Sequence, residues 1–69
     1  MITNRREILQ QTVEEIELLS KMHLMYGLQD EPCFAAQKQK IADLIADGRI
    51  NVRRELDPVS RNLFHRYFG

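Results

Sequence analysis

From Arg5 onward the apolar side chains recur at three- and four-residue spacing. At 100° per residue Ile8, Leu9, Val13, Ile16 and Leu19 share one face, which His23 and Tyr26 continue. This pattern predicts a helix over Arg5–Tyr26. Asn4, with Glu7 three residues later, supplies a capping-box start. Gly27 supplies the stop, because glycine takes the left-handed position after a helix without penalty. A second apolar line, Leu18, Met22 and Met25, has i, i+4, i+7 spacing and lies well round from the first. After Glu17 only Ser20, Lys21 and His23 are polar, so the helix ends apolar on two sides. Such a helix has to be covered there by its own chain or by another one.

Leu28–Glu31 then reads as a tight connection, with Asp30 or Glu31 capping a second helix that carries Pro32 in its first turn. That helix is expected over Pro32–Asp47, with Gly48 as its stop. Its inner face holds Phe34, Ile41, Leu44 and Ile45, with Ala42 at the edge, while Gln39, Lys40, Asp43 and Asp47 face water. Over Arg49–Leu56 the pattern is divided. Ile50 and Val52 alternate as in a strand, yet Asn51 is placed to cap one helical turn through Glu55; an irregular or short helical segment is favoured, since a lone strand lacks a partner. Asp57-Pro58 is an N-cap followed by a first-turn proline, opening a last helix to about Phe68. Val59, Leu63 and Tyr67 form its expected inner face, with Phe64 and Phe68 to one side.

The fold expected is therefore all-α and three-helix bundle-like: an antiparallel hairpin with a long first helix, and a short C-terminal helix packed across it. Residues 1–69 are taken as one domain, opened by a short lead-in over Met1–Thr3. Composition sharpens the problem of covering the first helix. A chain of 69 residues buries only about 60% of its unfolded surface, so a lone core is marginal. Cys33 is the single cysteine, which removes a disulfide and fits a reducing compartment. No run approaches the roughly 18 apolar residues of a membrane span, and no secretory leader pattern opens the chain. The cytoplasm is the expected location.

Charge is zero overall but uneven. Six acidic and three basic residues precede Cys33, whereas Arg49, Arg53, Arg54, Arg61 and Arg66 face only Glu55 and Asp57 after Gly48. The bland reading is that these arginines solvate the last helix and pair with the acidic first one. The alternative is that Arg49, Arg53, Arg54 and Arg61 contact phosphates, with Phe64, Tyr67 and Phe68 as stacking surfaces. Val59-Ser60-Arg61 resembles the start of a recognition helix in some helix-turn-helix repressors, although Gly48 comes earlier than the turn glycine of those proteins.

Candidate chemistry is sparse. The two histidines and one cysteine have no metal-ligand spacing, so neither metal nor cofactor is expected. His23 reads as a half-buried, hydrogen-bonded core histidine, His65 as solvated, and Cys33 as a small packing residue. Ser20 and Ser60 have no His–acid pair nearby in sequence, and an enzyme is not expected. Tyr26-Gly27-Leu28, a short loop and then Ile41, Leu44 and Ile45 resemble the small aspartyl-phosphate phosphatases that act on response regulators in sporulating bacteria. The resemblance spans about Glu15 to Ala46 with a one-residue shift, and implies a regulator directed at a response regulator. The hallmark Ser-Gln-x-Leu-Asp of that family corresponds here to Lys38-Gln39-Lys40-Ile41-Ala42, which keeps the glutamine and the aliphatic residue but neither serine nor aspartate.

The expected role is a small helical protein-binding module, a regulator or adaptor that self-associates as a homodimer. Leu18, Met22 and Met25 would form the seam, with Phe64 and Phe68 beside them. Nucleic-acid binding and response-regulator control are the alternatives.

Overall fold

The computed structural model describes residues 4–69, and the expected lead-in over Met1–Thr3 lies outside them. Four helices follow in order: α1 (Arg5–Leu24), α2 (Pro32–Gly48), α3 (Val52–Glu55) and α4 (Pro58–Phe68). The molecule is all-α. α1 packs along α2 as a hairpin and, less extensively, against α4. Its extents are 35 × 27 × 17 Å. The shortest of these spans about two layers of helix, each helix being about 10 Å across, so every helix keeps an outward face.

The core is built from Ile16 and Leu19 of α1, Phe34 and Ile41 of α2, and Leu56 between α3 and α4. Leu9, Val13, Met22, Ile45, Val52, Leu63, Phe64, Tyr67 and Phe68 pack around it. The 3.6-residue periodicity thus places the two long helices correctly. Over the divided stretch the helical alternative forms: Asn51 caps one turn as its side chain accepts from the Arg54 amide at 3.1 Å, and the Glu55 carboxylate accepts from the Asn51 amide at 2.6 Å. These two bonds satisfy amide groups that a single helical turn leaves free. At α4, Asp57 accepts from the Ser60 amide at 3.1 Å with Pro58 in the first turn, as expected. At α1, Asn4 accepts from the Arg6 amide at 2.8 Å.

Several details differ from the sequence reading. α1 ends at Leu24 and not Tyr26. Gly27, at φ 62°, still turns the chain, but Tyr26 has left the helix and is exposed, so it does not continue the core face. Glu31 is the N-cap of α2 without a side-chain bond. Gly48 does not stop α2; it belongs to the helix, and Arg49 takes the left-handed position at φ 49°. The reason is steric. A Cβ on Gly48 would stand 2.8 Å from Cγ2 of Ile8 and 3.1 Å from Cγ1 of Ile50. The glycine is needed where α1 crosses the end of α2, so the turn falls to the next residue. That turn is closed by the Arg49 amide to the Ala46 carbonyl at 3.2 Å and the Ile50 amide to the Ile45 carbonyl at 3.0 Å.

α4 is rotated from its expected face. Val59 is exposed, and Ser60 is buried in its stead. The inward stripe is Ser60, Leu63, Phe64, Tyr67 and Phe68, at i, i+3, i+4, i+7 and i+8. Thr12 is buried on α1, where its hydroxyl donates to the Ile8 carbonyl at 2.7 Å. That internal bond removes the cost of placing a polar side chain in the interior. Leu44 is only half-buried, whereas Ile50 and Leu56, on the divided stretch, are buried.

Candidate functional site

The residues predicted to form the seam divide between surface and interior. Met22 is half-buried and packs against the core. Leu18 and Met25, seven residues apart on one helical face, are 44% and 67% exposed. Leu24 at 64% and Tyr26 at 66% stand close by in the chain, and neither was marked by sequence as exposed. Leu24 falls outside both apolar lines, which is the signal that could have placed it. Main-chain bonds fix the turn presenting this group. The amide groups of Met25, Gly27 and Leu28 donate to the carbonyl groups of Lys21 (2.9 Å), His23 (3.1 Å) and Met22 (2.8 Å). The helix end is therefore satisfied while its apolar side chains stay in water.

Phe64 and Phe68 lie half-buried against the core on α4. Their rings stack with centroids 4.5 Å apart and 10° between planes. The Lys38 ammonium sits 5.3 Å from the centre of the Phe68 ring, a cation–π contact that ties α2 to α4. His23 is half-buried and hydrogen-bonded, as its position on the core face predicts. Its Nδ1 is 2.8 Å from the Tyr67 hydroxyl. The two rings meet edge-on with centroids 5.4 Å apart, and Tyr67 meets Phe34 edge-on at 5.8 Å. Imidazole, phenol and phenyl rings thus link α1, α4 and α2 in one chain of contacts.

The pairing of charges runs opposite to expectation. Among the described residues the C-terminal arginines form no ion pair with the acidic residues of α1; instead Arg5 of α1 forms an ion pair with Glu55 of α3. Arg5 also donates through Nε to the Gly48 carbonyl at 2.8 Å and through Nη2 to the Arg49 carbonyl at 3.1 Å. One guanidinium therefore caps the end of α2 and holds α3, because its forked donors reach three acceptors at once. Arg5 holds the Glu55 carboxyl below its ordinary range, with help from the Asn51 amide, and the same contact raises the Arg5 pKa. Glu15 is the acceptor on α1. Its carboxylate takes a bond from Gln37 Nε2 at 2.8 Å and an ion pair from Lys40 at 3.1 Å, and the Gln37 bond leads in lowering its pKa. Of the four predicted anion contacts, Arg49, Arg53 and Arg54 are exposed, while Arg61 is half-buried and donates to the Arg53 carbonyl at 3.0 Å.

Cys33 is exposed and free, so it is not the packing residue expected. His65 is exposed, as expected, with Nδ1 3.3 Å from the Gly69 carbonyl. A shallow hollow runs along Arg6, Glu7, Gln10, Gln11, Glu14 and Glu15. All six lie on one helix, so the hollow has no opposing wall to exclude water.

No family model, curated protein or solved structure matches this chain. In the stretch resembling the response-regulator phosphatases, Gln39 donates to Asp43 at 2.9 Å on the exposed side of α2, and Ile41 is fully buried. The glutamine is thus engaged within its own helix and the aliphatic residue serves the core.

Proposed function

We propose that this chain is a small cytoplasmic protein-binding module, a regulator or adaptor that acts by occupying a surface and not by catalysis, and that it self-associates as a homodimer. The observation carrying this reading is the exposure of Leu18, Leu24, Met25 and Tyr26 within nine consecutive residues around the end of α1. Single exposed apolar side chains are ordinary, but a cluster of large ones marks an interaction surface. Methionine and tyrosine among them favour binding, the first by adapting its shape and the second by adding area at low entropic cost. A net charge of zero leaves no overall repulsion between copies, which favours a second copy as the occupant. An exposed free thiol at Cys33 fits a reducing compartment. Among the described residues no helix is long and apolar enough to cross a membrane.

Leu18→Glu combined with Met25→Glu tests the proposal by light scattering over a range of concentrations. The parent chain should approach twice its monomer mass as concentration rises, and the variant should remain monomeric with unchanged helical circular dichroism. Both positions are solvent-exposed, so the fold should tolerate the changes to within about 1 kcal/mol. A parent chain that stays monomeric at millimolar concentration would defeat the dimer, and a variant that unfolds would show that these residues serve the core.

A further inference from the structure

At the other end of the hairpin, four elements bring arginines together. Arg5 opens α1, Arg49 follows α2, Arg53 and Arg54 make up half of α3, and Arg61 lies on α4. Two side-chain bonds to backbone fix this grouping: Arg5 to the Arg49 carbonyl and Arg61 to the Arg53 carbonyl. Two of the nearby carboxylates are already engaged, Glu55 by Arg5 and the Asn51 amide, Asp57 by the Ser60 amide. Arg49, Arg53 and Arg54 are exposed and form no ion pair among the described residues. Arg49 is placed there by the left-handed turn that closes α2, at φ 49°.

We infer that this corner binds the phosphate backbone of duplex nucleic acid without reading its sequence. Forked guanidinium groups match phosphate oxygens, and arginines carried on several elements match a row of phosphates better than a single anion. α3 is one turn long, too short to lie along a groove and contact successive base edges. Single strands are held largely by aromatic stacking, and here Phe64, Tyr67 and Phe68 are packed against the core. Duplex backbone is the remaining form that needs charge alone. The site is separate from the apolar end of α1, so this inference stands or falls apart from the homodimer.

Fluorescence anisotropy with a labelled random-sequence duplex at low ionic strength provides the test. With three phosphate contacts the affinity should fall by about 40-fold between roughly 50 and 200 mM salt. Arg53→Ala with Arg54→Ala should weaken binding by about tenfold or more and flatten that salt dependence. Arg49→Gly separates charge from fold, since it removes a guanidinium and relieves the left-handed strain: the urea midpoint should rise while duplex affinity falls. The monomeric Leu18→Glu, Met25→Glu variant should still bind. No binding at low ionic strength, equal binding of polyglutamate, or tighter binding of a single strand would each overturn the assignment.

Discussion

Gly48 shows how one missing Cβ sets the geometry of two helices. By helix propensity alone, Gly48→Ala in the last turn of α2 would be favourable by about 1 kcal/mol. The added methyl, however, would stand 2.8 Å from Cγ2 of Ile8, a stiff β-branched side chain, and 3.1 Å from Ile50. Crowding of this kind costs about 1–3 kcal/mol. Gly48→Ala should therefore destabilise the protein, read as a lower urea midpoint with little change in slope. An unchanged or higher midpoint would mean that Ile8 moves aside freely. The sequence does mark this residue, but for another reason. A glycine after a periodic run reads as a helix stop, and the requirement for close approach is invisible until α1 lies across it. His23 is the contrasting case: its place on the core face was enough to predict a half-buried, hydrogen-bonded ring.

At the scale of elements, caps and cross-links account for the carboxylates with displaced pKa values. Glu15 is lowered chiefly by Gln37, Glu55 by Arg5 and Asp57 by Ser60. In each case the folded pKa lies below the unfolded one, so the folded chain binds fewer protons as the group titrates. The stabilisation is fully present above the ordinary carboxylate range, about pH 4, and is lost as pH falls through the folded values. Arg5, whose pKa is raised by Glu55, stays charged throughout this range, so their ion pair is lost only as Glu55 takes a proton. Urea midpoints should therefore be flat near neutrality and drop in acid. Asp57→Asn retains a cap without titrating and should lessen the drop. An identical acid profile for parent and variant would remove Asp57 from this account. The starts of α2 and α4 were legible, because Pro32 and Asp57-Pro58 act locally, whereas at α3 the Asn51 cap competed with the alternation of Ile50 and Val52. The ion pairs were not legible. Which acid meets which base depends on how antiparallel helices are set against one another, and simple attraction between acidic and basic ends named the wrong partners for the arginines.

For the whole molecule the limiting fact is size. Five buried apolar residues form the central cluster, and Leu56, 4% exposed, is the one that joins the hairpin to α3 and α4. Leu56→Ala should cost about 2–5 kcal/mol, against a total stability for so short a chain of about 3–5 kcal/mol. A largely unfolded population by circular dichroism at 25 °C is expected, and a cooperative native-like melt would show that the hairpin stands without that contact. The same scarcity of chain explains the division of the predicted seam. Met22, Phe64 and Phe68 pack onto the core, but two layers of helix cannot also wrap Leu18 and Met25.

The sequence by itself determined the all-α class, the starts of the three longer helices and the two long apolar faces, because periodicity, capping and proline placement depend on residues within a turn or two of each other. Tertiary structure alone decided the rotation of α4 that buries Ser60 and exposes Val59, the passage of the left-handed turn from Gly48 to Arg49, and the gathering of arginines at one end. These depend on contacts between residues some forty to fifty positions apart, such as Arg5 with Gly48 and Glu55, where close packing and hydrogen-bond geometry choose among faces that local pattern leaves nearly equal.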